Sequence, residues 1–176
     1  EVRVGPLREE EEQDRTRTRQ AGEKAGKGRV FAVGCSPVDG TIVTVGQRHI
    51  KFWRINIYHP PHLQSRTSAF GKYSRDITLL SLECSAEGYT LTGASDGNVY
   101  VWNNYTILQS VPAHAGPIFS LWSSDRGFAS GGKDGVIRLW DIKMKALNSF
   151  EMGSILPKGT RMGSKDQVIK SLCRVG

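Results

Sequence analysis

The stretch Lys133-Asp134-Gly135-Val136-Ile137-Arg138-Leu139-Trp140-Asp141 decides how this chain is read. An Asp-Gly pair is a strong hairpin turn, because glycine tolerates a positive φ. The short apolar run after it ends on tryptophan. Two earlier segments end alike: Ser95-Asp96-Gly97-Asn98-Val99-Tyr100-Val101-Trp102 and Gly46-Gln47-Arg48-His49-Ile50-Lys51-Phe52-Trp53. Upstream of each stands a second shared pattern, two apolar residues, a small residue and serine. It reads Val30, Val33, Cys35, Ser36, then Leu79, Leu82, Cys84, Ser85, then Ile118, Leu121, Ser123, Ser124. A further copy opens at Ile169 and Leu172. A unit that recurs in this way points to a repeat architecture.

Between these landmarks the texture is that of strands and turns. Val30-Phe31-Ala32-Val33 and Thr41-Ile42-Val43-Thr44-Val45 are β-type runs separated by Ser36-Pro37-Val38-Asp39-Gly40, which is turn chemistry. No helical period appears from Arg29 onward, so the fold class is all-β. Residues 1–28 differ: Glu9 to Glu12 are followed by Arg15, Arg17, Arg19, Lys24 and Lys27, with few apolar residues between. Such a segment cannot offset the entropy of ordering and reads as disordered. Its charges nearly cancel, so the net charge of +7 sits mostly on the remainder. The longest apolar runs, such as 77–82, fall far short of the roughly 20 residues of a membrane-spanning helix. The charged start has no signal-peptide core. Three cysteines, an odd number, argue against a disulfide scaffold and for a reducing compartment.

The Trp-terminated units resemble the WD40 repeat. The steps from Val33 to Leu82, Leu121 and Leu172 are 49, 39 and 51 residues, near the period of about 40–45 for one four-stranded propeller blade. The resemblance implies a partial β-propeller with blades at about 29–72, 77–112 and 114–152 and a fourth beginning near 168. WD40 blades often carry a bonded set of His, Ser or Thr, Asp and Trp. His114, Ser130, Asp134 and Trp140 match it completely. Thr92, Asp96 and Trp102 match it in part, without a histidine. The first copy offers Trp53, but Gln47 stands where Asp belongs and Val43 where Ser or Thr belongs, so that blade is expected to lack the set.

A narrower likeness lies in Cys35 to Trp53, in Leu91 to Trp102, and in Ala113-His114-Ala115-Gly116-Pro117-Ile118 with Ser130 to Gly135. These runs resemble the echinoderm microtubule-associated protein-like family over about Arg29 to the end. The resemblance implies a cytoplasmic, cytoskeletal, non-enzymatic module that binds tubulin or microtubules. Residues 1–28 do not match the hydrophobic segment that family members carry before these blades, and no coiled-coil heptads occur. Three blades and a stub cannot close a ring of 4 to 8 blades, so the chain is expected to be a piece of a larger protein with exposed strand edges.

Reactive chemistry finds little support. His114, Ser130 and Asp134 are the residue types of a hydrolytic triad, but no Gly-x-Ser-x-Gly elbow is present. Gly131 to Gly135 is too short for a phosphate loop. His59-Pro60-Pro61-His62 lacks the partners of a zinc site and reads as a loop. Cys35 and Cys84 occupy equivalent positions and read as buried strand residues. Asn104-Tyr105-Thr106 fits the glycosylation sequon, idle without a secretory route. No cofactor, metal, small-molecule substrate or membrane contact is expected. Nucleic acid is disfavoured because basic and aromatic residues do not interleave, although a net positive chain leaves a scaffold for another protein or ribonucleoprotein complex as the rival. Arg48 and Lys133, beside the tight turns, are the candidate contacts to an acidic partner.

Overall fold

The computed structural model describes residues 28–58, 62–68, 70, 76–155 and 168–172. The expectation of disorder for 1–28 concerns residues that, Gly28 apart, lie outside this set. The described chain forms three four-stranded sheets. The first holds β1 (Val30–Cys35), β2 (Ile42–Gly46), β3 (His49–Asn56) and β4 (His62–Thr67). The second holds β5 (Leu79–Cys84), β6 (Tyr89–Ala94), β7 (Asn98–Asn103) and β8 (Thr106–Pro112). The third holds β9 (Ile118–Ser124), β10 (Gly127–Gly132), β11 (Val136–Trp140) and β12 (Ala146–Glu151). Every sheet is an antiparallel meander in chain order. One helical turn, α1 (Met152–Ile155), follows the last strand and was not foreseen in the sequence. His62, read as loop, instead opens β4, paired with Asn56.

The repeat is visible in the backbone. Each innermost strand bulges at the same place, between Val30 and Ala32, between Leu79 and Ser81, and between Ile118 and Ser120 opposite Gly132 and Gly131. A bulge increases the local twist, and its recurrence gives the blades one shape. The second turn of each blade is tied back to the residue before its first strand. Gln47 donates its N–H to Arg29 O at 2.9 Å, Ser95 to Thr78 O at 2.9 Å and Lys133 to Pro117 O at 2.8 Å. Gly97 and Gly135 hold φ of 83° and 74° at the ends of their turns, and a Cβ at Gly97 would collide with the His114 carbonyl.

The core lies in the two seams between sheets. Val43, Val45, Ile50 and Phe52 of the first blade meet Leu79, Tyr100 and Trp102 of the second. Leu91, Val99 and Val101 of the second meet Ile118, Leu121, Phe128, Trp140 and Met144 around the third. Successive residues of β7 therefore serve opposite seams, as a strand buried on both faces requires. The seams are also stitched by polar bonds: Ser81 Oγ donates to Ile118 O at 3.1 Å and Ser123 Oγ to Glu83 Oε1 at 2.9 Å. The outer faces of the end sheets have no described sheet beside them. That is why Val30 is exposed where its counterpart Leu79 is fully buried, why Val33 is exposed where its counterpart Leu82 is half-buried, and why Cys35, expected to be buried, is exposed. Cys84 is partly buried, and burial pushes its thiol up to about 11.

Candidate functional site

Each blade anchors its tryptophan through the indole N–H. In the third blade Trp140 Nε1 donates to Ser130 Oγ at 3.0 Å, and Ser130 Oγ lies 2.8 Å from His114 Nε2. His114 Nδ1 lies 2.9 Å from Asp134 Oδ1. A carboxylate accepts only, so Nδ1 carries the proton and Nε2 accepts the serine O–H. Asp134 also accepts from the N–H groups of Ala115 and Val136, each at 3.2 Å. Arg138 Nη1 lies 3.0 Å from His114 Nδ1, but both nitrogens carry hydrogen, and it is Asp134 that accepts from Arg138, through Oδ2 at 3.2 Å. The four residues come from the loop before β9, from β10, from the β10–β11 turn and from β11, so one chain of bonds ties these parts of the blade together. Burial holds the His114 imidazole below its ordinary range, against the pull of Asp134. Burial pushes the Asp134 carboxyl up, yet the bonds from His114 and the backbone together hold it below its usual value.

The order serine, histidine, aspartate is that of a hydrolytic triad. Ser130 is 0% exposed and its oxygen already accepts the indole N–H. The hydroxyl is enclosed and engaged on both sides, and the bonds of the constellation tie β10 and β11 to the loop before β9.

In the second blade Trp102 Nε1 donates to Thr92 Oγ1 at 2.9 Å. Asp96 turns to its own hairpin, accepting from Asn98 N–H at 3.0 Å and from Tyr100 O–H at 2.7 Å. Burial, followed by the bond to Asp96, pushes the Tyr100 phenol well up.

The first blade departs from the sequence expectation. It does have a hydroxyl for its tryptophan: Trp53 Nε1 donates to Thr44 Oγ1 at 2.9 Å, and that oxygen lies 2.9 Å from His49 Nε2. Val43 was the wrong residue. It pairs with Phe52 and faces the first seam. The β2–β3 turn consists of Gln47 and Arg48 alone, whereas residues 95–97 and 133–135 form the corresponding turns. Counting back ten residues, as in the other blades, overshoots by one. The histidine in this set comes from β3 and not from a loop before β1, a substitution invisible to a motif that expects it upstream. Burial, then the charge of Lys51, holds His49 below its ordinary range.

The two candidate contact residues are not equivalents. Arg48 takes the left-handed conformation at φ 52°, the place of Gly97 and Gly135, and pairs with Asp76. Lys133 begins its turn, as Gln47 and Ser95 begin theirs. Among the described residues no cluster of three or more His, Cys, Asp or Glu fits a metal, and no helix is long and apolar enough to cross a membrane.

The WD domain, G-beta repeat family matches residues 105–141, from the β7–β8 turn through the Trp-Asp pair. The 77 kDa echinoderm microtubule-associated protein of Lytechinus variegatus is 37% identical over 123 residues, covering 66% of this chain and 18% of that protein. Echinoderm microtubule-associated protein-like 4 of Homo sapiens is 33% identical over 140 residues, covering 70% and 14%. The chain thus spans less than a fifth of these relatives. Among solved structures, the RRP9 WD40 repeats align with TM-score 0.59 at 14% identity over 72% of this chain and 40% of that one. The C-terminal WD40 domain of Sif2 aligns with TM-score 0.57 at 20% identity over 70% and 37%. With its three Trp-anchored blades, the chain is a WD40-repeat homologue of the echinoderm microtubule-associated protein-like proteins.

Proposed function

We propose that this chain is a non-enzymatic interaction module that binds tubulin or microtubules, within a cytoplasmic, cytoskeletal microtubule-associated protein. The observation that carries the reading is the sequence relation to proteins named for microtubule association, at 37% identity over 123 residues. The geometry supports an interaction role: the triad-like constellation of His114, Ser130 and Asp134 is sealed inside a blade, while turn tips such as that of Lys133 stand at the surface. Lys133 has no ion pair among the described residues and supplies positive charge for an acidic partner, whereas the charge of Arg48 is matched by Asp76. In this reading the blades occupy about 29–72, 77–112 and 114–152. A fourth begins near 168, where Ile169 donates its N–H to Gly132 O at 3.1 Å.

The test is co-sedimentation of the full protein with microtubules across a salt series. Binding at low salt that weakens as salt rises is expected, and Lys133→Glu should reduce it. A protein that stays in the supernatant at low salt would refute the tubulin reading and favour a scaffold for another complex.

A further inference from the structure

The two seams differ at one level of the molecule. In the second, the β11–β12 connection spans residues 141–145, between the paired Trp140 and Ala146. Met144, only 7% exposed, joins the cluster that holds the paired residues Leu91 and Val101. In the first seam the counterparts of that pair are Val43 and Phe52. The β7–β8 connection there is only Asn104 and Tyr105, between the paired Asn103 and Thr106. Tyr105 meets Phe52 edge-on, with centroids 5.2 Å apart, and a groove of about 230 Å³ stays open over them.

We propose that the groove between the first two blades is a docking site for a short turn-forming segment of a partner protein that, like the turn holding Met144 at φ 63°, places an unbranched apolar side chain beside a lysine or arginine.

Two observations commit the groove to this occupant. The first is internal: the residue that fills the corresponding place in the second seam is a methionine between two lysines, Lys143-Met144-Lys145. The second is charge. The rim carries the carboxylates of Asp39 and Glu87 and the guanidinium of Arg54, and the Arg66 guanidinium lies 4.6 Å from the centroid of the lining Tyr105 ring. Arg54 is matched by Asp39 at 3.2 Å. The Thr41 hydroxyl bond above all holds the Asp39 carboxyl down at about 2, so it stays ionised. Glu87 has no ion pair among the described residues, and its charge remains for a cation. Exposed Val38 extends the apolar wall. The volume lies below the roughly 300 Å³ at which small-molecule sites begin, and suits one long side chain. This chemistry is opposite to that of an acidic partner, so the site stands apart from the tubulin reading.

The probe is a fluorescein-labelled peptide Asp-Ile-Lys-Met-Lys-Ala, titrated with the full chain and read by anisotropy. Saturable binding is expected. Replacing the peptide methionine with serine should weaken it about tenfold or more. Glu87→Lys, at an exposed turn, should weaken it several-fold, and exchanging the peptide lysines for glutamates should abolish it. Val38→Trp, which crowds the groove wall, should also reduce affinity. Absence of saturable binding overturns the proposal. So does binding that tolerates Glu87→Lys and the methionine replacement together, since the peptide then sits elsewhere.

Discussion

The first and third blades carry a tryptophan at the same repeat position, inside β3 in one and at the end of β11 in the other, and bind it differently. Trp140 sits at 5% exposure in a seam, with a relay of serine, histidine and aspartate behind it. Trp53 is half-buried on a sheet face that no described sheet covers, with a threonine and a histidine from the neighbouring strand. The difference teaches that the obligatory partner of the indole is a hydroxyl on the adjacent strand. What orients that hydroxyl is interchangeable, and a turn shorter by one residue is absorbed by moving the hydroxyl one position along.

Truncating the tryptophans tests this most strongly. Trp102→Ala and Trp140→Ala should each destabilise by about 3–5 kcal/mol, as for large buried aromatics, and Trp53→Ala by about 1 kcal/mol, because less apolar surface returns to water. Urea melts of the three variants would measure the ranking, and an equal loss for Trp53 would mean that its open face is covered in the protein.

Removing the hydroxyls is the next step. Ser130→Ala orphans a buried indole N–H and a buried imidazole nitrogen and should cost about 1–3 kcal/mol. Thr44→Val, on the more open face where water can replace the bond, should cost about 1 kcal/mol or less. A Ser130→Ala variant as stable as the parent would show that the relay contributes nothing to the fold.

The histidines give both relays a pH dependence of one sign. His114 and His49 have folded values below the ordinary 6.5, so the unfolded chain takes up protons first as pH falls. Stability is fully present above pH 6.5, declines as pH drops from there towards the folded values, and levels off below them. Asp134, also held low, adds a loss at still more acidic pH. Denaturation midpoints at pH 8 and pH 5.5 should differ, and His114→Asn should shrink the difference more than His49→Asn, since only His114 has a fully enclosed side chain.

The smallest effects sharpen the seams. Ser81→Ala breaks a buried bond to Ile118 O and should cost about 1 kcal/mol. Ser120, its counterpart at the next bulge, has a buried hydroxyl with no partner among the described residues. Ser120→Ala should therefore be near neutral, and a cost equal to that of Ser81→Ala would place a partner carbonyl beside it.

Much of this architecture was legible in the chain. Turn pairs with Gly97 and Gly135, the short apolar runs after them and the recurring Trp marked the strands, because local backbone demands are written in consecutive residues. The third blade's bonded set was legible too, since all four of its residues stand at motif spacing. The first blade's set was hidden by the Gln47-Arg48 turn: a one-residue deletion shifts every count made across it, although strand pairing closes up without loss. The exposure of Cys35 was likewise hidden, because burial depends on what lies beyond the sheet and not on the strand that carries the residue.

From residue order alone came the class of fold, the number of full repeats and the position of each tryptophan, all set by short-range patterns. Only the packed molecule decided which hydroxyl each indole meets, which faces stay open, and that one seam is filled by Met144 while the other keeps a groove. Those outcomes depend on residues far apart in the chain meeting across a seam, where a turn longer or shorter by a few residues changes the contact while leaving the strand pattern as it was.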